Sequence, residues 1–239
     1  MSGERLALVT GTSSGIGAAV AKELLAHGWQ VIGIARRTPK LPSANYQHLA
    51  LDLAEVGTAA AAIEREAGAR LAESSWERVG LVNNAALAPA GRVQKLEAGE
   101  LARAYAVNAV MPLWLMGFVL RRRPDGAEVR VVNISSGAAQ RPFPGLATYC
   151  STKAALRMAG MVVAAEVEEI GVFSYEPGVV DTEMQRATRE TPLEEFPWGT
   201  TFRQYHAEGR LAAPELPAAD VVKFLESERT ERFGEARRT

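Results

Sequence analysis

Tyr149 and Lys153 stand four residues apart in the run Thr148-Tyr149-Cys150-Ser151-Thr152-Lys153. At that spacing two residues share one face of a helix, so a phenol and an ammonium would sit side by side. Upstream, the apolar run Val129 to Ile134 ends in Ser135 and Ser136. A hydroxyl, a phenol and a cation at one point suit proton transfer to a polarised carbonyl. The plainer alternative is that Tyr149 packs, Lys153 is solvated and Ser136 caps a turn. The elements that carry these residues have to decide.

Those elements alternate. Leu6 to Thr10 reads as a buried strand, followed by the glycine loop Gly11 to Gly17 and an amphipathic helix from about 16 to 27, stopped by Gly28. Gln30 to Ala35 is a second strand and Tyr46 to Leu51 a third, closed by Asp52. A helix over about 54–72, a strand at Val79 to Val82 and a long helix over about 96–120 come next. Val129 to Ile134 is the fifth strand, 148–170 the helix carrying Tyr149 and Lys153, and Val172 to Tyr175 the sixth strand. Strand–helix alternation of this kind predicts a parallel α/β sheet wound right-handed.

The loop Thr10-Gly11-Thr12-Ser13-Ser14-Gly15-Ile16-Gly17 lies between the first strand and its helix. Glycines there let backbone N–H groups and a helix N-terminus approach a pyrophosphate. The same residues fit Gly-x-Ser-x-Gly, which would make Ser13 a hydrolase nucleophile. Position argues against that: only the first strand precedes it, and the one late histidine, His206, lies in a polar, loop-like stretch. The second strand ends Ala35-Arg36-Arg37. An acid at that strand end would hold a ribose 2′-hydroxyl; arginines suit a 2′-phosphate, hence NADP(H) rather than NAD.

Asn83 and Asn84 end the fourth strand, placed to bridge neighbouring strands and face a ligand. Asn108 is a lone polar residue in an apolar helix, so it must pair with backbone or serve a site. Pro112 should kink that helix or leave carbonyls free. From 183 to 214 the pattern dissolves into a polar segment with Phe196, Trp198, Phe202 and Tyr205, read as a mobile lid. A helix over 218–228 follows, and the tail from Arg232 to Thr239 is a poor strand at best.

The bulk numbers exclude several classes. The 239 residues are 47% hydrophobic with a net charge of −1, which suits one well-packed domain and gives no basic footprint for nucleic acid. The single cysteine, Cys150, rules out an internal disulfide or a multi-cysteine metal site, and no metal is expected. There is no signal-like segment and no apolar run of about 18 residues, so no membrane partner and a cytoplasmic location are expected.

The glycine loop, Asn83 to Ala86, Asn108, Ser136 with Tyr149 and Lys153, and Pro177-Gly178-x-x-x-Thr182 resemble, in order, the short-chain dehydrogenase/reductase family across nearly the whole chain. The resemblance implies a Rossmann-type doubly wound parallel sheet in three α/β/α layers, a single NADP-binding domain over 1–239. It implies that Tyr149 donates the proton. Lys153 binds the nicotinamide ribose and lowers the phenol pKa, and Ser136, thirteen residues before the tyrosine, holds the carbonyl oxygen. Asn108 supports a water relay. Cofactor contacts fall on Gly11, Ser13, Ser14, Gly15, Ile16, Gly17, Arg36, Arg37, Asp52, Leu53, Asn84, Ala85, Ala86, Tyr149, Lys153, Pro177, Gly178, Val180 and Thr182.

Val132 to Gly137, Tyr149 to Lys153 and Pro177 to Gln185 resemble more narrowly the sepiapterin reductase branch with its bacterial diketone reductases. That implies a small carbonyl substrate, a ketone or vicinal diketone, and a homodimer or homotetramer. Three departures stand out. Ala86 replaces a glycine, Ser14 replaces a frequent basic residue, and the tail Gly234-Glu235-Ala236-Arg237-Arg238 lacks the aspartate that holds a pterin. A pterin carbonyl is therefore the alternative substrate, and a non-catalytic NADP-binding regulator the alternative of another class.

Overall fold

The structure, a computed structural model, describes residues 4–228 and 231–238; Thr239 of the tail lies outside them. Seven parallel strands form one sheet in the order β3-β2-β1-β4-β5-β6-β7. They are β1 (Glu4–Thr10), β2 (Gln30–Ala35), β3 (Tyr46–Ala50), β4 (Trp76–Asn83), β5 (Glu128–Ile134), β6 (Ile170–Glu176) and β7 (Phe233–Arg237). The order reverses between β1 and β4, where open α/β sheets bind ligands beyond the strand C-termini. The parallel sheet expected from the alternation, in the doubly wound form that the resemblance implies, is the observed one.

The two-residue period of β1 shows why the sheet is covered on both faces. Leu6 and Leu8 enter one core with Ile63, Met111, Leu115, Phe118 and Val163. Ala7 and Val9 enter the other with Val20, Leu24, Val221 and Leu225. The first face therefore carries α2 (Val56–Leu71), α4 (Met111–Arg122) and α5 (Ala147–Glu166), and the second α1 (Gly15–Ala26) and α8 (Glu215–Glu226). All four β1 side chains are fully buried, which is why the strand reads as an unbroken apolar run.

The long helix expected over 96–120 is continuous but not uniform. It consists of α3 (Ala98–Tyr105), a π-helical turn at Ala106–Val110 and α4, which has Pro112 in its first turn. A proline cannot donate to the carbonyl four residues back, here that of Asn108, and the widened turn absorbs the mismatch. Ala98–Arg122 has the length and composition to cross a membrane. Glu100, Arg103 and Asn108 interrupt it, so no unbroken apolar run of about 18 residues occurs there. The apolarity has a structural use, because Met111, Leu115, Met116, Phe118 and Val119 pack into the core.

Two other expectations are corrected. The tail forms a full strand, β7, parallel to β6 from Val172↔Phe233 to Glu176↔Arg237. Arg157 of α5 grips Glu235 through two bonds of 2.6 and 2.7 Å. The segment after Thr182 is not structureless: it holds α6 (Glu183–Glu190) and α7 (Gly199–Ala207), and His206 lies in α7. Phe196 is fully buried, stacks on Phe202, and Phe202 meets Tyr205 edge-on. Three of the four aromatics thus make the segment's own small core.

Candidate active site

β5 delivers Ser136 and α5 delivers Tyr149 and Lys153 to one place. Ser136 is extended (φ −162°) and caps the short turn that follows, its hydroxyl accepting from the N–H of Ala138 at 3.2 Å. The hydroxyl stands near enough to the Tyr149 phenol to lower its pKa slightly. Gly145 (φ +90°) begins the chain's entry to α5; a Cβ there would collide with the carbonyl of Glu195. This glycine lets the backbone at Glu195 pack directly against the loop before α5.

Lys153 is 2% exposed and donates to the carbonyl of Ile134 at 2.7 Å. Its ammonium lies 5.5 Å from the centre of the Tyr149 ring. Burial lowers its pKa to about 8. Burial raises the Tyr149 phenol to about 12, against a smaller lowering by Ser136. The expected lowering of the phenol by Lys153 is not what this structure shows. Desolvation dominates, and the ammonium is turned onto a backbone carbonyl.

Asn108 is 1% exposed and bonded on both atoms of its amide. Its Oδ1 accepts from Leu87 N–H at 2.7 Å, and its Nδ2 donates to the Leu87 carbonyl at 2.7 Å and to Thr152 Oγ1 at 3.0 Å. Thr152 in turn donates to the carbonyl of Tyr149 at 3.0 Å. Thr152 was missed in the sequence; its signal was adjacency to Lys153 on a helix face turned to Asn108.

The dinucleotide contacts inferred from the resemblance sit at the switch point. Thr10 Oγ1 accepts from the N–H groups of Asn84 and Ala85 at 2.9 and 3.0 Å, tying β1 to β4. Asn84 Nδ2 donates to the Thr10 carbonyl at 2.9 Å, while Asn83 bridges to Asn133 of β5 at 2.8 Å. Gly11 (φ +77°) leaves no room for a Cβ, which would stand 2.6 Å from Asn84 Nδ2; one on Gly17 would strike the same amide and the Gly11 carbonyl. A backbone cradle of this shape at a helix N-terminus fits a pyrophosphate, so the residues present fit a dinucleotide. Ser13 and Ser14 lie on this loop, and Ser13 makes no hydrogen bond to a histidine among the described residues, which leaves the hydrolase template without a base.

Thr182 caps α6 by accepting from Gln185 N–H at 3.2 Å and packs its methyl toward Gly15. Asp52 accepts from Arg103 at 2.5 Å and from Ala54 N–H at 3.0 Å. Burial alone would raise its pKa, but Ala54, Arg103 and nearby Arg36 together hold it below the usual value. Arg37, though exposed, pairs with Glu183 of α6 at 2.8 Å. That partner was invisible in the sequence. Tyr46 of β3 reaches the glycine loop at Thr12 Oγ1, 3.0 Å away, another contact the spacing did not signal. No group of three or more potential metal ligands occurs among the described residues.

A Rossmann-type sheet with a glycine cradle at its switch point and a serine, tyrosine and lysine beside it defines a nucleotide-dependent oxidoreductase. Residues 5–193 match the short chain dehydrogenase family, and the chain belongs to it. It is 33% identical to benzil reductase ((S)-benzoin forming) of Bacillus cereus over 237 residues, covering 94% of this chain and 95% of that protein. Sepiapterin reductase of Meriones unguiculatus is 34% identical over 205 residues, 78% of each chain. Among solved structures, the KRED1-Pglu enzyme superposes with a TM-score of 0.81 at 25% identity, over 96% of this chain and 100% of that one. The chain is thus an oxidoreductase of a family that uses nicotinamide dinucleotides.

Proposed function

We propose that the protein is an NADPH-dependent carbonyl reductase that reduces a small ketone or vicinal diketone, with Tyr149 as proton donor. The observation that carries this is the Tyr149 phenol held beside buried Lys153, whose ammonium lies 5.5 Å from the ring centre. Raised to about 12, the phenol is fully protonated at neutral pH and ready to give its proton to a developing alkoxide, a far stronger base. The dinucleotide, when bound, supplies the hydride. Ser136 Oγ, beside the phenol, orients the carbonyl oxygen. Lys153 fixes the end of β5 through Ile134 and keeps a positive charge close to the phenolate formed at Tyr149. Asn108, through Thr152, holds the first turns of α5 so that these groups stay aligned. Arg36 and Arg37 at the end of β2 favour the 2′-phosphate.

An apolar substrate is favoured by the rim. Arg92 donates to the Glu194 carbonyl at 2.9 Å and Lys95 pairs with Glu195 at 3.2 Å, joining the 91–95 loop to the lid. These joined segments expose Val93, Leu193 and Trp198, and Trp198 meets Phe143 edge-on at 5.2 Å. The Bacillus cereus relative carries a diketone, benzil, in its name. Two copies pair through α4 and α5, whose outer faces expose Leu113, Met158 and Val162 beside Val110 of the π-helical turn; a cytoplasmic location remains part of this reading. The test is NADPH oxidation with benzil and a panel of aliphatic diketones and pterins, alongside Tyr149→Phe. Diketone turnover lost in the variant is the expected result. Turnover surviving Tyr149→Phe, or none with any carbonyl, would sink the reading.

A further inference from the structure

We propose that Glu183 is a specificity-determining residue for the cofactor: its carboxylate stands where the 2′-phosphate must go, so the phosphorylated dinucleotide displaces it from Arg37 and frees the lid helix α6. This rests on the NADPH reading above. Glu183 is the first residue of α6, and its Oε2 lies 2.8 Å from Arg37 Nη2. Arg37 first, then Arg186 and least of all Ser14 of the glycine loop, hold this carboxylate below its ordinary pKa. Ser13, Arg37 and Glu183 line one cleft of about 590 Å³ beside α1, with Lys22 and Lys40 on its walls. A loop serine and an arginine at the end of β2 are the donors a ribose phosphate would use, and in this structure the arginine is spent on a lid carboxylate beside that loop.

The pair is built to be displaced. Arg37 is 64% and Glu183 54% exposed, and exposed pairs are weak. A phosphate carries more charge and more acceptor oxygens than a carboxylate, and arginine can bind it bidentately. Thr182, next to Glu183, packs against Gly15 of the loop, so the lid and the cradle touch at adjacent residues. The helix also has something to gain by moving. The Gln185 amide is buried without a hydrogen-bond partner on either atom, and Arg189 Nη1 has only Asp181, 4.0 Å away. Both residues lie on α6, one turn apart. The dinucleotide lacking the phosphate leaves Glu183 paired and the lid where it is.

The test uses the full chain, with adenosine 2′,5′-bisphosphate and 5′-AMP as probes, in wild type and Glu183→Gln. Calorimetry should show the bisphosphate binding about threefold to fivefold more tightly to the variant, with 5′-AMP unchanged. Acrylamide quenching of Trp198, the most exposed tryptophan of the four, reads the lid. It should rise with the bisphosphate but not with 5′-AMP in wild type, and should already be high in Glu183→Gln. A bisphosphate preference in wild type that the variant leaves unchanged overturns this inference alone. No preference for the bisphosphate in either protein overturns the cofactor reading, and this inference with it. Unchanged Trp198 quenching on bisphosphate binding overturns the release of the lid.

Discussion

Lys153 donates to the carbonyl of Ile134 at 2.7 Å while its ammonium lies 5.5 Å from the centre of the Tyr149 ring. One side chain therefore fastens α5 to the end of β5, the strand that carries Ser136, and supplies the positive charge beside the phenol. Its burial has a measurable consequence. With its pKa at about 8 in the fold against an ordinary 10.5, the folded chain has lost this proton between those values while the unfolded chain keeps it. Stability must then rise with pH across that window, and the cost of burying the ammonium is fully present below it. Relative to Lys153→Met, wild type should gain about 1–2 kcal/mol between pH ~7.5 and ~9.5. Paired chemical denaturation at the two pH values checks this; a constant difference would mean that the ammonium is not desolvated.

Tyr149→Phe keeps the ring and removes the proton. Carbonyl reduction should fall by about 10²- to 10⁴-fold, the range for losing a positioned general acid. Dinucleotide binding, followed by fluorescence titration, should change little, because the backbone cradle at Gly11 to Gly17 is untouched.

Asn108→Ala would leave the Leu87 N–H and carbonyl without their partners, and would remove the bond that Thr152 Oγ1 accepts. Orphaned buried groups cost about 1–3 kcal/mol, so a loss in that range should appear in urea denaturation. The lost brace on Thr152 should lower kcat more than it raises KM for the carbonyl.

Gly17→Ala should abolish dinucleotide binding, since the added Cβ meets backbone at Gly11 as well as the Asn84 amide. Backbone cannot step aside as a flexible side chain can. A stability loss of about 1–3 kcal/mol is expected alongside, and equilibrium dialysis with NADPH reads the binding.

Arg36→Ala should weaken NADPH far more than NADH. Equal losses in the two titrations would show that Arg36 acts only on Asp52, whose carboxyl it helps to hold down.

Leu113→Glu with Met158→Glu places charge on the exposed face of α4 and α5 and should convert an assembled species to monomer in sedimentation. A wild-type monomer would remove the basis for pairing there.

The sequence by itself determined the parallel sheet, the cradle and the serine–tyrosine–lysine set. The reason is that these depend on short-range patterns: buried strands read as apolar runs, a phosphate loop needs glycines, and a helix fixes the face shared by residues 149 and 153. Only the tertiary structure decided the rest. The tail becomes β7 because β6 offers an open edge and Arg157 a partner for Glu235, neither of which is local to it. The lid's helices arise from packing among Phe196, Phe202 and Tyr205, while its outward polar residues hid the period. Desolvation moves the Tyr149 and Lys153 pKa values against the expectation from adjacency, because burial depends on every element that surrounds them. The pairing of Arg37 with Glu183, 146 residues apart, exists only because the ends of β2 and β6 open on the same cleft.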